Sequence, residues 1–322
     1  MHFPKTNPTH LATILLSIAL TASITACDTG PQQEVSAPVV IPVSMQATGR
    51  IISKHLPEVS GIQASRSNPG HFYVHNDKGK SLVHVINQEG SHLGSVNIKK
   101  AKNRDWEDIT SVEVEDSVWL VIGDVGDNSA KHKDVTLYFT KEPQPGVDGH
   151  YSGSQKLHHK IELTYPDGAR DCESIAYDPV EQEILFLTKR DKPGRLYSIP
   201  LQVAMTEKKA ELSFVGEMAE LRKPTLDDRV KWGGRAQWIS QPTGMDIALN
   251  GQEAAVITYR SLYRYHRLEG ESWLSALQRK PEEVVGPPAK QNEAVAYTVD
   301  GKAIYVTSEI LPAPVYRFEF TD

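Results

Sequence analysis

Three glutamates, Glu107, Glu173 and Glu293, each stand two residues before the first aliphatic residue of a segment rich in β-branched and aromatic side chains. Carboxylates that are held close together raise one another's pKa or require a cation between them. Calcium in proteins is bound by about 6–8 oxygens, supplied by carboxylates and amides. The spacing therefore predicts a proton-carrying or cation-binding centre, if the fold brings these positions together.

A calcium site is the first of three interpretations of these acids. Further oxygens stand where neighbouring aliphatic segments end, and they extend the candidate ligand set. The predicted metal ligands are Glu107, Glu173, Glu293, Asn76, Asp124 and Asn128.

The other two interpretations need no metal. In one, Lys189 with Arg190 and Arg260 grips an anionic ligand while Glu107 or Glu173 carries a proton, as in hydrolysis of an ester, lactone or phosphoester. The predicted catalytic residues are then Glu107, Glu173, Arg190 and Arg260. In the third interpretation the acids pair with these cations and with backbone N–H groups, and have a purely structural role.

The elements that must position these residues form a repeat. Each copy has a polar or acidic residue, an aliphatic strand, a turn and a second strand, and the copies begin at Glu58, Asp105, Cys172, Thr243 and Asn292. Short strands separated by Gly, Pro and Asp-Gly turns, recurring as whole units, are typical of a β-propeller. We predict an all-β fold, a β-propeller of five four-stranded blades. Six blades are the alternative if residues 217–241 hide further strands.

The ends of the repeat suggest how the ring closes. The last copy lacks a fourth strand, and the segment Gly49–His55 ahead of the first copy is predicted to supply it. The first strand of each blade lines the central channel, so equivalent positions form a ring at its mouth. Aligned on the aliphatic residues that follow, the ring is Ser60, Glu107, Glu173, Met245 and Glu293.

Two segments depart from the strand pattern. Helical periodicity is confined to Glu217–Arg222 and Trp273–Gln278. The aromatic and basic segment Trp232–Trp238 is predicted to overhang the channel mouth or to be a packed loop.

The N-terminal residues indicate an export signal. Lys5 precedes the apolar stretch 11–20, which is too short to span a bilayer, and Ile24-Thr25-Ala26-Cys27 follows it. This tetrapeptide resembles the lipobox of bacterial lipoproteins, which implies cleavage before Cys27 and acylation of its thiol. We expect a signal peptide over residues 1–26, the lipidated Cys27 and a flexible tether over 27–46, and the propeller domain over 47–322. The expected location is the bacterial cell envelope, and Asp28 favours the inner membrane.

Composition limits the range of partners. The chain has 322 residues and a formal net charge of −6, which argues against a sequence-independent grip on nucleic acid. Its 2 cysteines exclude a disulfide framework, and Cys172 is expected to be a buried thiol. The expected partners are the lipid bilayer, through acylated Cys27, and a small molecule or an envelope protein.

Four motifs carry a family resemblance. They are Asp105–Ile109, Gly123–Asn128, Glu173–Tyr177 and Glu293–Tyr297. Together they resemble bacterial secreted propellers that include SdiA-regulated proteins and the phytase-like esterase group, and more distantly the regucalcin/gluconolactonase and paraoxonase propellers.

The resemblance implies a propeller over about residues 48–320 and an axial divalent ion, with Glu107, Glu173 and Glu293 as axial residues. Met245 departs from the acidic pattern. We therefore expect a lipid-anchored extracytoplasmic propeller that binds a ligand or partner at an acid-lined channel mouth, with calcium as a structural ion. The alternatives are a calcium-dependent hydrolase and an interaction scaffold of the envelope.

The lipidation motif generates a direct test. Cells grown with labelled palmitate should incorporate label into the wild-type chain and not into Cys27→Ala, because only the lipobox cysteine is acylated. Cys172→Ala is the matched control, since it removes the other cysteine of the chain, and it should keep the label. Label retained by Cys27→Ala would refute lipidation at this residue.

Overall fold

The computed structural model describes residues 43–320, which form five antiparallel sheets arranged as a β-propeller. The predicted signal peptide, Cys27 and most of the predicted tether lie outside the described residues. The innermost strands of successive sheets contact one another around the whole ring, and the last contacts the first. Five blades are thus confirmed. Among residues 43–320, none of the helices is both long and apolar enough to cross a bilayer.

In each blade the strands follow one another from the channel outward. Blade one contains β2 (Val59–Ala64), β3 (His71–Asn76), β4 (Leu82–Asn87) and β5 (His92–Lys99). Blade two contains β6 (Trp106–Val114), β7 (Ser117–Asp124), β8 (Val135–Lys141) and β10 (His159–Thr164). Blade three contains β11 (Cys172–Asp178), β12 (Glu183–Thr188), β13 (Arg195–Pro200) and β15 (Ser213–Glu217).

The remaining blades follow the same order. Blade four contains β16 (Pro242–Ile247), β17 (Glu253–Thr258), β18 (Ser261–His266) and β19 (Glu282–Val285). Blade five contains β20 (Asn292–Tyr297), β21 (Ala303–Ser308), β22 (Ala313–Phe320) and β1 (Val43–Ile51). Two short strands, β9 (Ser154–Lys156) and β14 (Lys209–Glu211), add parallel edges to blades one and two.

The N-terminal strand closes the last blade, as predicted. β1 pairs antiparallel with β22, from Val43 opposite Phe320 to Ile51 opposite Ala313. It begins ahead of the domain boundary predicted at residue 47 and ends before His55. Gly49 has a steric reason to be glycine, because a Cβ there would lie 2.1 Å from the backbone oxygen of Glu89 in blade one. The closing strand therefore contacts the first blade as well as the last.

Helices occur only between strands in the described part of the chain. They are α1 (Leu201–Thr206), α2 (Leu226–Trp232), a 3-10 helix (Gly233–Trp238) and α3 (Trp273–Leu277). The segment 217–241 thus contains a helix and a 3-10 turn where a sixth blade would need strands, so the six-blade alternative is wrong. The helix expected at Glu217–Arg222 is also wrong, since β15 ends at Glu217 and α2 begins at Leu226. The expectation at Trp273–Gln278 is confirmed by α3.

A buried carboxylate ties the inner strands together. Asp108 is 1% exposed, and its Oδ1 accepts a 2.9 Å hydrogen bond from the Ile109 N–H of its own strand. Its Oδ2 accepts from the N–H groups of Ile175 at 3.0 Å and Met245 at 3.3 Å, in blades three and four. One side chain therefore satisfies backbone donors of three inner strands, which would otherwise be buried without partners.

A second aspartate continues this arrangement into the last blade. Asp246 accepts from its neighbour Ile247 at 2.9 Å and from Tyr297 of β20 at 2.8 Å. Both donors are backbone N–H groups. The centre of the propeller is thus crossed by polar links, while the apolar core lies between the blades.

We predict that Asp108→Asn destabilises the propeller, because the amide group presents N–H donors to the N–H groups of Ile175 and Met245. Leaving buried donors unsatisfied costs about 1–3 kcal/mol each, so the melting temperature should fall by about 5–10 °C. Asp227→Asn, on the exposed face of α2, is the control and should melt like the wild type. Equal melting temperatures for both variants, by scanning fluorimetry, would contradict this role.

Candidate functional site

All five inner strands begin with a β-bulge at the same structural position. The register shifts one residue in each first hairpin, and the bulged residues are Ser60, Glu107, Glu173, Thr243 and Glu293. A bulge re-aims the side chain of the extra residue and is common beside functional sites. The bulges therefore present one side chain from each blade at the same end of the channel.

The predicted ring needs one correction. Met245 pairs with Val256 in the register in which Ile109 pairs with Ile122, so Met245 corresponds to the aliphatic residue after the bulge. The equivalent of the glutamates in blade four is Thr243, whose hydroxyl donates to the backbone oxygen of Asn292 at 2.7 Å. The repeat alignment predicted from the sequence is shifted by two residues in this blade. The reason is that Ile247 matches the aliphatic position as well as Met245 does.

An acidic cluster lies between blades one and two, and we define it as Asp77, Asp105 and Glu107. One carboxylate oxygen from each lies within 4.8 Å of the others. Ser60 Oγ donates to Glu107 Oε2 at 2.9 Å, and Lys78 Nζ lies 2.8 Å from Asp105 Oδ1. Lys78 is thus the ammonium group that contacts the cluster, and its side chain is 54% exposed.

The protonation of the cluster reflects its burial. Burial raises the pKa of Asp77 to about 7, and the hydrogen bond and charge of Asp105 contribute to the rise. Burial also raises the pKa of Glu107 well above its ordinary value, with the charge of Glu173 as the next cause. Gly126 completes the wall, since a Cβ there would lie 2.2 Å from Glu107 Oε1. Burial and neighbouring negative charge thus oppose ionisation of Asp77 and Glu107, and a compensating cation would favour it.

A lysine network joins blades three, four and five, and we define it as Glu173, Lys189, Tyr259 and Glu293. Lys189 Nζ pairs with Glu173 Oε2 and donates to the Tyr259 hydroxyl at 3.2 Å. That hydroxyl donates in turn to Glu293 Oε1 at 2.9 Å. Glu173, Lys189 and Glu293 are each at most 6% exposed. Lys189, predicted to hold an anionic ligand, is instead engaged by the ring glutamates.

Charge compensation sets the pKa values in this network. Burial raises the pKa of Glu173 to about 7, and the ammonium of Lys189 opposes that rise. Burial followed by the charge of Glu173 raises the pKa of Glu293 well above its usual range. Burial alone would lower the pKa of Lys189, but the charges of Glu173, Tyr259 and Glu293 outweigh it and raise the value.

Three predicted metal ligands take other partners. Asn76 Nδ2 donates to the backbone oxygen of His55 at 2.9 Å, and Asp124 Oδ1 accepts from the Asp105 N–H at 2.8 Å. Asn128 Oδ1 accepts from the guanidinium of Arg190. The structure brings Glu107, Glu173 and Glu293 to one mouth, but it does not bring these three side chains into the acidic cluster.

The two arginines predicted to hold an anion are also engaged. Arg190 Nε lies 2.6 Å from Asp171 Oδ2. Arg260 is 5% exposed and donates to Asp228 at 2.7 Å and to Ser240 Oγ at 3.1 Å, both in the segment before β16. Arg260 therefore anchors that segment and does not face the glutamates.

Sequence reasoning passed over Asp105 as a ligand, although it stands two residues before Glu107 in the motif that carried the resemblance. The bulge at Glu107 is not visible in the sequence pattern, and it changes which neighbouring residues share a face of the strand. Cys172 is fully buried, as expected, and burial raises the pKa of its thiol to about 12.

No family model and no curated protein matches the chain. Among solved structures it is similar to a gluconolactonase from Xanthomonas campestris, with a TM-score of 0.45 and 11% identity over 87% of this chain and 90% of that one. It is also similar to the hydrazine synthase of Kuenenia stuttgartiensis, with a TM-score of 0.38 and 12% identity over 80% and 70% of the two chains.

The raised carboxyl pKa values predict a pH dependence of stability. In the unfolded chain these acids lose their protons near pH 4–4.5, whereas Asp77, Glu173 and Asp246 keep theirs in the folded state until about pH 7. Their contribution is therefore complete below about pH 4 and is lost as the pH rises towards 7. The melting temperature should fall between pH 5 and pH 8.

Glu107→Gln should flatten this pH profile, because it removes one of the buried acids. Glu269→Gln, on the exposed surface, is the control and should keep the wild-type slope. A wild-type melting temperature that rises from pH 5 to pH 8 would show that the acids ionise freely in the folded protein.

Proposed function

We propose that the protein is a lipid-anchored, extracytoplasmic propeller that binds a ligand at its acid-lined channel mouth, with a calcium ion held by the acidic cluster. The observation that carries the proposal is the approach of three carboxylate oxygens, from Asp77, Asp105 and Glu107, to within 4.8 Å of one another. Calcium is a hard cation that prefers carboxylate oxygens and accepts irregular geometry. Its charge would offset the burial and the neighbouring negative charge that raise the pKa values of Asp77 and Glu107.

The residues of the cluster fit such an ion. Asp77 Oδ1 is buried and has no hydrogen-bond partner among the described residues, so it is free to act as a ligand. Ser60 Oγ lies beside Glu107 and adds a neutral oxygen. Lys78 Nζ is the competing cation, and its largely exposed side chain can move into solvent when an ion enters. Asp77, Asp105 and Glu107 would hold the metal, which would supply an electrophilic contact for a ligand oxygen at the mouth.

Binding is favoured over hydrolysis by the state of two of the predicted catalytic groups, Glu173 and Arg260. Glu173 is paired with buried Lys189, and Arg260 is committed to Asp228. Neither side chain is free to take a substrate proton or to hold an anionic leaving group without breaking a buried ion pair, which is strongly unfavourable.

Calcium should stabilise the full-length chain against heat, and chelator should reverse the effect. An ion present at about 100 times its dissociation constant adds about 2.7 kcal/mol to the stability of the folded state. Asp105→Asn should weaken calcium binding, measured by titration calorimetry, by at least about tenfold, because it removes one charged ligand. Lys78→Met should tighten binding by removing the competing ammonium.

Asn128→Ala is the matched control, since Asn128 is a ligand predicted from sequence that lies outside the acidic cluster. Its calcium affinity should equal that of the wild type. Absence of calcium-dependent heat and of stabilisation in the wild type would overturn the proposal. Equal losses in Asp105→Asn and Asn128→Ala would show that the ion sits elsewhere.

A further inference from the structure

A cavity of about 640 Å³ lies beside the channel mouth, on the side of blades three and four, away from the acidic cluster. Its floor is formed by the turn between β12 and β13, by Met218 after β15, and by Gln241 and Pro242 at the start of β16. The remaining wall is the segment 219–240, which we call the insertion. The volume is in the range of small-molecule sites, which is about 300–1,000 Å³.

The insertion is fixed to the propeller by buried polar contacts. Arg260 of blade four donates to Asp228 Oδ2 in α2 and to Ser240 Oγ at its far end. Arg222 Nε donates to Glu283 at 3.0 Å, which ties the near end to β19. Thr225 and Asp228 form a reciprocal capping box that starts α2. The insertion therefore covers the cavity and is fixed to the propeller near both of its ends.

The inner surface of the cavity is largely apolar with one unsatisfied amide. Met218 and Ala236 are 3% and 4% exposed, and Leu221 and Pro193 extend the apolar wall. Gln241 is 6% exposed, and its Oε1 is buried with no hydrogen-bond partner among the described residues. An uncompensated buried amide is costly, so this group is suited to a partner that enters the cavity.

The charged residues around the cavity leave an excess of positive charge. Its two carboxylates already have partners: Asp191 Oδ1 lies 3.2 Å from Arg170, and Glu220 lies 2.8 Å from Lys223. Lys192 and Arg229 also line the cavity, and within residues 43–320 neither side chain makes an ion pair. Two cations thus face an apolar cavity with no anion to neutralise them.

We propose that this cavity is a second ligand site, which binds an organic anion with an apolar body. Lys192 and Arg229 would bind the carboxylate, sulfonate or phosphate group, since charge-assisted hydrogen bonds are the strongest available to them. Met218, Leu221 and Ala236 would cover the apolar body, and the Gln241 amide would bond a polar atom along it. The site shares no residue with the acidic cluster, so its ligand binds independently of calcium.

The test uses 2-naphthoate as the anion with an apolar body, titrated calorimetrically into the full-length chain, with detergent buffer as the blank. Saturable binding to one site is expected. The neutral 2-naphthamide should bind at least about tenfold more weakly, because it lacks the charge that the two cations recognise. Acetate, which lacks the apolar body, should show no measurable binding.

Single-residue variants test whether 2-naphthoate binds in this cavity. Lys192→Gln and Arg229→Gln should each weaken 2-naphthoate binding by about tenfold, and Gln241→Leu should weaken it less. Lys231→Gln is the matched control, because Lys231 is on α2 with Arg229 but does not line the cavity, and it should bind like the wild type. Absence of saturable binding, equal affinity for 2-naphthamide, or equal affinities of Arg229→Gln and Lys231→Gln would overturn the proposal. Glu107→Gln should leave this affinity unchanged.

Discussion

The hydrogen bonds accepted by Asp108 hold the centre of the propeller together. Five inner strands meet around one axis. Asp108 accepts from three of these strands and Asp246 from two, so these buried donors are satisfied by side chains of the inner strands. A bulge at the start of each inner strand directs Glu107, Glu173 and Glu293 to the mouth.

Several buried acids lie at one end of the channel, and neighbouring cations compensate their charge to different extents. On the side of blades three to five, Lys189 is shared by Glu173, Tyr259 and Glu293 in a closed set of contacts. Between blades one and two, the ammonium group that contacts the acidic cluster is that of the largely exposed Lys78. In a medium of low dielectric constant such differences matter, because unpaired charges are far more costly there than in water.

The insertion adds a different chemistry to the same face. Arg260, which the sequence predicts to bind an anion, instead holds this segment to blade four through hydrogen bonds. Lys192 and Arg229 line the cavity that this segment covers. The cavity shares no residue with the acidic cluster.

The sequence by itself determined the repeat, five blades as the prediction with six as the alternative, the closing strand and the glutamates at the strand starts. Strand and turn patterns can be read within each hairpin, and the missing fourth strand of the last copy indicated which segment closes the ring. Tertiary structure alone decided that Asp77 meets Glu107 from another blade, that Lys189 joins Tyr259 and Glu293, and that Thr243 replaces Met245 in the ring. The physical reason is that a one-residue bulge changes the direction of a side chain, while its partner comes from a blade whose position depends on packing of the whole ring.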